Sequence, residues 1–526
     1  MTQVIESDIC IIGSGITAAL LAEKLSEDRD VSIVVVEAGN DNPPLAERFA
    51  MRARYRSYGE SPWPDDHVEG LTAADIQSRS MQVGGLAMHW GGVTPRFSPE
   101  DFRVRSLYGV GDDWPLTYDD LDPYYQEAEE RMGVAGAQGP AELDPRSAPY
   151  PMPALPLDYN LERLQTWGAN AGIPFWSQPS AKNSVPYRGR SVCCRNDTCF
   201  PICPVGAKYS PDFTWDALRA SGKVQLVTRT LVRQLVLAPG SDRIEVAVAV
   251  NRDAPNEPVE FRAGTFVVAG GYTWSPHLLL LSASPRFPNG IANSSGTVGR
   301  FMTGHRNVQA FIKLPMKLYP GINFQHSLVT KKFMRPGALD RYVRHDLRVW
   351  ESTFGAEARL QNDDGEILLG DAVLDDWRAR TEQGTARVRA YYDVLPHRDS
   401  TVTLDSAKRT PWGDPLPKIA FRDSEASAEL RGHTEDTIRA LFSRLARAGD
   451  GEILTTSASN FQDHPAGGCR MGDDPATSVC DSFGRTHDHE NLFVVGAPTC
   501  VTGGCANGTL TFVALGLRAA TAIGEG

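Results

Sequence analysis

The sequence predicts an α/β chain: a nucleotide-binding sheet interleaved with a second, α+β domain built on an antiparallel sheet. Three observations carry that prediction. A strand, glycine turn, helix and strand open the chain; a buried strand and an apolar helix close it; and a long stretch between them alternates polar and apolar residues. With 526 residues the chain exceeds what one core supports, so two domains are expected.

The opening unit comes first. Residues 9–12 are an apolar strand, Gly13, Gly15 and Ala18 form a G-x-G-x-x-A turn into a helix reaching Leu25, and residues 32–36 are a second strand. Gly13 permits the tight turn. Gly15 lets the backbone approach a pyrophosphate at the positive end of the helix, and Ala18 is small enough for close helix–strand packing. Glu37 ends the second strand 22 residues after Gly15, where a carboxylate can bond a ribose hydroxyl. A glycine pattern alone is weak. Here strand, helix, second strand and acid stand in register, and that context points to a dinucleotide.

Composition narrows the class. Hydrophobic residues make up 41% and charged ones 22%, as in an ordinary globular protein. Lys and Arg number 53 against 65 Asp and Glu, a net charge of −12, which argues against nucleic acid and anionic membrane surfaces. No apolar run nears the roughly 20 residues of a membrane span, and no basic, apolar signal segment is visible at the N-terminus. The expectation is a cytoplasmic protein, or a periplasmic one exported folded with a partner that carries the signal.

At the C-terminal end, residues 491–497 form a buried strand ending in Gly496 and Ala497. A helix of about 13 residues follows, opening at Gly508 and Thr509 and apolar on nearly every face. Its positive end suits a bound anion. The opening fingerprint, VGGLAMHWGGVT at 83–94, TFVVAGGYTWSPHLLLL at 265–281 and Asn507 before GTLT together resemble the glucose–methanol–choline (GMC) oxidoreductases almost end to end. That resemblance implies FAD as cofactor. Gly84, Gly85, His89, Val232, Ala269, Gly270, Gly496, Ala497, Asn507 and Thr509 then join Gly13, Gly15, Ala18 and Glu37 as cofactor-binding candidates.

It also implies a catalytic pair, His464 and Asn507. Oxidising an alcohol sends a hydride to flavin N5 and the hydroxyl proton to a base, and a neutral imidazole is a base suited to neutral pH. Asn507 can hold the same oxygen, and it also reads as a helix cap. His89 precedes Trp90; in some relatives that His carries the flavin covalently and in others it does not, and contact with the isoalloxazine region is expected in either case. Of the other histidines, His305 is expected to be structural, while His487 and His489 are expected to face solvent.

Four of the nine cysteines fall within eleven residues: Cys193, Cys194, Cys199 and Cys203, the last before Pro204. Disulfides, zinc, an iron–sulfur cluster and inert thiols all compete. Zinc lacks the usual second pair, and Cys-x3-Cys-Pro is how bacterial ferredoxin runs finish. The stretch through Tyr209 is similar to the flavoprotein subunits of membrane-linked gluconate, glucose and related sugar dehydrogenases. This likeness implies a [3Fe–4S] cluster on Cys193, Cys199 and Cys203, with Cys194 spare. It also implies a small escort subunit and a cytochrome as electron acceptor.

The expected FAD-binding domain is discontinuous, at 1–100, 190–305 and 455–526. Residues 101–189 and 306–454 form the substrate domain, with the cysteine loop at 193–203. In the second insertion, 386–394 and 400–405 alternate like strands on either side of a turn at Pro396, and an amphipathic helix covers 425–447. Acidic residues at 363–366 and 375–376 read as solvated loop. Trp350, Tyr391 and Tyr392 either stack on a sugar or pack the sheet. The expected activity is oxidation of a hydroxyl of a sugar, glycoside or polyol, with electrons leaving through the cluster. A pyranose or glycoside oxidase using oxygen, its cysteines structural, is the alternative. A non-catalytic FAD electron-relay subunit is the third reading.

Overall fold

Strand β1 (Gln3–Ile12) is central to the first sheet, pairing in parallel with β2 (Ile33–Val36) on one side and with Pro258–Val268 on the other. The computed structural model describes residues 3–27, 30–63, 80–319, 326–335, 342–353, 358–362, 364–459 and 463–525; Asp363 of the acidic stretch lies outside them. This seven-stranded sheet runs Val224–Val227, β2, β1, Pro258–Val268, Ile244–Asn251 and Thr230–Leu237. The N-terminal half of Pro258–Val268 takes an antiparallel hairpin on its far edge. Its C-terminal half takes the parallel strand Leu492–Val494, so the two ends of the chain meet in one sheet.

Helix α1 (Ile16–Glu27) buries Ala18, Ala19, Leu21, Ala22 and Leu25 against that sheet. Apolar residues on nearly every side let it pack against the last helix, Thr509–Glu525, as well. The contact is close: a Cβ on Gly516 would sit 2.4 Å from Thr17 Cγ2. Only a residue without a side chain fits there.

The second sheet also has seven strands among the described residues, all antiparallel. Its path is Glu452–Ala458, Thr303–Leu314, Gly384–Val394, Leu347–Glu351, Leu328–Thr330 and Trp176–Ser177, with Asp463–Ala466 pairing the start of Thr303–Leu314. Because strand side chains alternate, Gly384–Val394 has two distinct faces. Ala386, Val388, Ala390 and Tyr392 join a core with Ile438, Leu441, Phe442 and Leu445 of helix Glu425–Ala448 and with Leu161, Leu164 and Trp167 of helix Tyr159–Asn170. Val388, Ile438, Phe442 and the leucines each contribute about 1.5–3 kcal/mol by leaving water. Arg387, Arg389 and Tyr391 point the other way, towards the first sheet's side of the molecule.

The alternating segments on either side of Pro396 are both strands, as expected, Gly384–Val394 and Thr401–Arg409; among the described residues the second pairs with Pro415–Ala420 in a ribbon of its own. Val402 of that ribbon packs on Tyr272 and Met302, drawing it away from the large sheet. His489 does not face solvent. It is fully buried, its Nε2 accepts from the Ala292 amide at 3.0 Å, its Nδ1 lies 2.6 Å from the Asp242 carbonyl, and burial lowers its pKa.

Candidate functional site

A cavity of about 1040 Å³ lies between the two sheets, and both ends of the chain contribute to its walls. Gly13 stands at φ +101°, and a Cβ there would meet the Ala269 carbonyl oxygen at 2.8 Å. The turn therefore requires glycine twice over, for its backbone angle and for its neighbour. A Cβ on Gly15 would meet nothing within 4 Å, because that position opens into the cavity. Gly84 and Gly85, also at positive φ, close over this turn, with the Gly84 amide donating to the Ser14 carbonyl at 3.2 Å.

Glu37 reaches back to the same turn. Its Oε2 accepts from the Ser14 amide at 3.0 Å and the Ser14 hydroxyl at 2.6 Å, and its Oε1 accepts from the Gly39 amide at 2.7 Å. Burial pushes the carboxyl's pKa up, and these donors pull against that. Val232, Ala269, Gly270, Ala497 and Thr509 line the same wall, whereas Ala18 and Gly496 pack behind it. A Cβ on Gly496 would lie 2.9 Å from Thr17 Oγ1, so its smallness serves helix packing. Helices α1, Gly271–Leu281 and Thr509–Glu525 all begin at the cavity, which gives it several positive dipole ends. Volume, bare backbone and helix termini together fit an elongated, anionic dinucleotide such as FAD.

His464 stands across the cavity, on the short strand Asp463–Ala466. Its φ of +48° is in the left-handed region that a side chain rarely adopts, a strain typical of functional positions. A register shift between Thr303 and His305 accompanies the pairing of this strand with Thr303–Leu314, and it brings the two histidines together. His464 Nδ1 lies 2.8 Å from His305 Nε2, and its Nε2 lies 2.8 Å from Asn507 Nδ2.

The network assigns the protons. An Asn507 N–H that donates to His464 Nε2 makes that nitrogen the lone pair, so Nδ1 carries hydrogen and donates to His305 Nε2. The His305 proton then sits on Nδ1, which is buried and has no hydrogen-bond partner among the described residues. Both rings are neutral. Burial, with the charges of Arg348 and Arg389, pushes His464 down to about 3; burial, His464 and Arg348 hold His305 well below its usual range. The result is an imidazole base with its lone pair on the cavity side and its back nitrogen buttressed.

His89 lines the cavity too, with Trp63 edge-on at 6.2 Å and Gln82 Nε2 at 3.4 Å from its Nε2. The cysteine loop is tied to this block by Lys208. That buried ammonium donates to the Met88, Trp90 and Cys199 carbonyls at 3.2, 2.7 and 2.8 Å, and burial lowers its pKa to about 8. Cys199 and Cys203 are buried, Cys193 is partly so and Cys194 is exposed; all four are free thiols. Cys193 lies near enough to Cys199 and Cys203 for their charges to raise its pKa, though burial is the larger cause. Among the described residues, no three His, Cys, Asp or Glu side chains converge as a metal site.

Trp350 and Tyr391 take the cavity face of their strands, while Tyr392 takes the core face and donates to Glu435 at 2.7 Å. Several residues of the site escaped sequence reading. His305, expected to be structural, lies against His464, with its Nε2 2.8 Å from His464 Nδ1. Arg348, Arg387 and Arg389 look like ordinary polar positions of alternating strands, and only the strand register shows that they share one face. Lys208 carried no signal beyond its place after the cysteines.

Known proteins agree with this architecture. A family model described as GMC oxidoreductase matches residues 396–516. The chain is 32% identical to the fructose dehydrogenase large subunit of Gluconobacter japonicus, over 99% of this chain and 98% of that one. It is 28% identical to the 6'''-hydroxyparomomycin C oxidase of Streptomyces lividus, over 98% and 91%. The solved pyridoxine 4-oxidase from Mesorbium loti superposes with a TM-score of 0.63 at 19% identity, covering 98% of both chains. A likeness this extended, joined to the cavity and its histidine, makes the chain a member of the GMC oxidoreductase family and an FAD-dependent oxidoreductase.

Proposed function

We propose that this chain oxidises a hydroxyl of a sugar, glycoside or polyol, with His464 as the base and Asn507 as its partner in holding the substrate oxygen. The observation that supports it most is the neutral His464 ring, its Nε2 lone pair 2.8 Å from Asn507 Nδ2 in the wall of the cavity. A substrate hydroxyl that displaces the Asn507 donor from Nε2 donates to that nitrogen and accepts from Nδ2. As its proton moves to Nε2, the imidazolium keeps its Nδ1–H on His305, which holds the ring's orientation. Asn507 Oδ1 is buried with no hydrogen-bond partner among the described residues, leaving an acceptor for a second substrate hydroxyl. FAD, when bound, supplies the acceptor for the carbinol hydride at its N5; Gly13, Gly15, Glu37, Gly84, Gly85, Ala269 and Thr509 would hold it.

Electron exit belongs to the same reading. Cys193, Cys199 and Cys203 would be the ligands of a [3Fe–4S] cluster, a reading supported by their spacing ahead of Pro204 and by the Lys208 link from their loop to the His89–Trp90 block. Within that arrangement a partner subunit and a cytochrome receive the electrons, in the periplasm, and the "large subunit" of the fructose dehydrogenase relative is in keeping with it. No helix among the described residues is long and apolar enough to cross a membrane. A second reading, an oxidase with structural cysteines, draws on the likeness to a Streptomyces oxidase and on thiols that do not converge. It suits a cytoplasmic chain working alone.

The test is anaerobic addition of D-fructose, D-glucose and a polyol series to the FAD-loaded protein, with iron counted per chain. Bleaching of the flavin supports hydroxyl oxidation, and an unchanged spectrum with every sugar counts against it. About three irons with a three-iron EPR signal supports the exit. Absence of iron after reconstitution, with peroxide formed at the turnover rate in air, moves the reading to the oxidase.

A further inference from the structure

The cavity face of the second sheet carries more positive charge than its own side chains neutralise. Arg348 and Arg389 are register partners on adjacent strands, and Arg387 pairs across from Trp350, so all four share one face with Tyr391. Arg348 has a carboxylate, its Nε donating to Asp346 at 2.7 Å. Among the described residues, Arg387 and Arg389 have none. They share the single Oε1 of Gln309, which takes Arg387 Nε at 3.0 Å and Arg389 Nη2 at 3.1 Å, and Arg389 Nη1 donates to the Tyr391 hydroxyl at 2.9 Å.

The nearby carboxylates among the described side chains are committed elsewhere. Asp393, two residues along that strand face, is engaged by Tyr342, and Asp414 on the cavity wall is held by Arg233 at 2.6 Å. Glu37 is at the far turn, bonded to Ser14 and Gly39.

Donors are left over as well. Arg348 is nine-tenths buried, and among the described residues its Nη2 has no hydrogen-bond partner, nor does the buried Nε of Arg389. A desolvated guanidinium with unused N–H groups is costly unless an acceptor completes it. The aromatic rings supply only part of the compensation. Arg348 lies 4.6 Å from the Tyr391 ring centre, and Arg387 and Arg389 lie 5.1 and 5.5 Å from that of Trp350. These stacks fix the guanidinium planes and leave their edges for a planar or tetrahedral oxyanion. The same face reaches the base: Tyr391 stands edge-on to His464 with ring centres 6.5 Å apart.

We infer that the substrate is a hydroxylated anion, its carboxylate or phosphate held by Arg348, Arg387 and Arg389 while a hydroxyl several bonds away meets His464 and Asn507. This rests on the hydroxyl-oxidation reading and narrows its substrate class to sugar acids or sugar phosphates. The reaction balances as for any alcohol: the C–H bond leaves as hydride to FAD, the O–H proton passes to His464, a carbonyl forms, and the anionic group stays unchanged.

The test uses the FAD-loaded full chain under anaerobic conditions, comparing D-gluconate, D-glucuronate and D-glucose 6-phosphate with D-glucose and D-fructose, with malonate as an anion lacking any hydroxyl. An anionic sugar should half-saturate flavin reduction at a concentration about tenfold or more below its neutral counterpart, the scale of one charge-assisted pairing. The carboxylate and phosphate arms identify which oxyanion is meant. Malonate should perturb the oxidised flavin spectrum saturably and compete with a reducing sugar, and Arg389→Gln should weaken malonate at least tenfold in a protein that keeps its FAD.

Neutral sugars that reduce the flavin as well as every anion, with malonate inert, would overturn the anion site and leave hydroxyl oxidation standing. Reduction by no probe would count against hydroxyl oxidation, and the malonate titration would still decide the anion site: saturable perturbation upholds it and none overturns it.

Discussion

One wall of the cavity is backbone and small residues, Gly13, Gly15, Gly84, Gly85 and Ala269; the opposite wall is side chain, with His464, Tyr391 and the arginines Arg348 and Arg389. The first wall is made by turns local in sequence and clamped by one acid, Glu37, about two dozen residues away. The second is made by strand pairing between segments as distant as His305 and His464, 159 residues apart. Backbone recognition suits a cofactor of fixed shape, and projecting charged side chains suit a substrate that must be chosen and deprotonated. A cofactor wall can therefore be read along the chain, while a substrate wall has to be read across a sheet.

Breaking the first wall should have the largest effect. Gly13→Val places a branched side chain at φ +101° against the Ala269 carbonyl, so FAD content should fall from about one per chain towards none while far-ultraviolet circular dichroism is kept. Full FAD retention would show that this turn does not bear the cofactor.

On the second wall, His305→Ala should leave FAD content unchanged and slow anaerobic flavin reduction roughly 10- to 100-fold, the scale for a partner that orients a reacting group. His305→Gln, which can still accept from His464 Nδ1, should recover part of that rate. Equal loss of rate in both, with loss of FAD, would make the residue merely structural.

The pH dependence sharpens the contrast. His464 is held down to about 3 and His305 well below 6.5, so the acid limb of flavin reduction should lie well below pH 6.5. Arg389→Gln removes one cause of the depression and should move that limb upwards. The unfolded chain protonates these rings near pH 6.5 and the folded chain does not, so they cost stability progressively as pH falls from about 6.5 towards about 3. The smallest effect belongs to Ser14→Ala, which removes one hydroxyl donor from Glu37 but keeps the Ser14 amide. A loss of about 1 kcal/mol, roughly fivefold in FAD affinity, is expected by titration of the apoprotein.

The same contrast explains what was legible beforehand. The glycine turn, the acid after β2 and the small residues at 269–270 carry their meaning locally, because only glycine fits those backbone angles and approaches. His464 and Asn507 were legible through blocks resembling a family. His305 was not, because nothing around it announces that a register shift will turn it onto His464. Arg387 and Arg389 were hidden by alternation itself: on a half-buried strand polar residues are expected on one face, and whether that face meets water or a cavity is decided by a distant sheet. His489 failed for a related reason. A polar loop in sequence turned out to be sealed by Phe287 and the Asp242 and Ala292 backbone.

The central claim is that His464 takes the substrate's hydroxyl proton, and the most direct measurement is anaerobic flavin reduction by a sugar or sugar acid in the His464→Ala protein beside the parent. A yellow variant with about one FAD per chain, reduced at least 100-fold more slowly than the parent, is the predicted result. Bleaching of that variant at the parent's rate would contradict it.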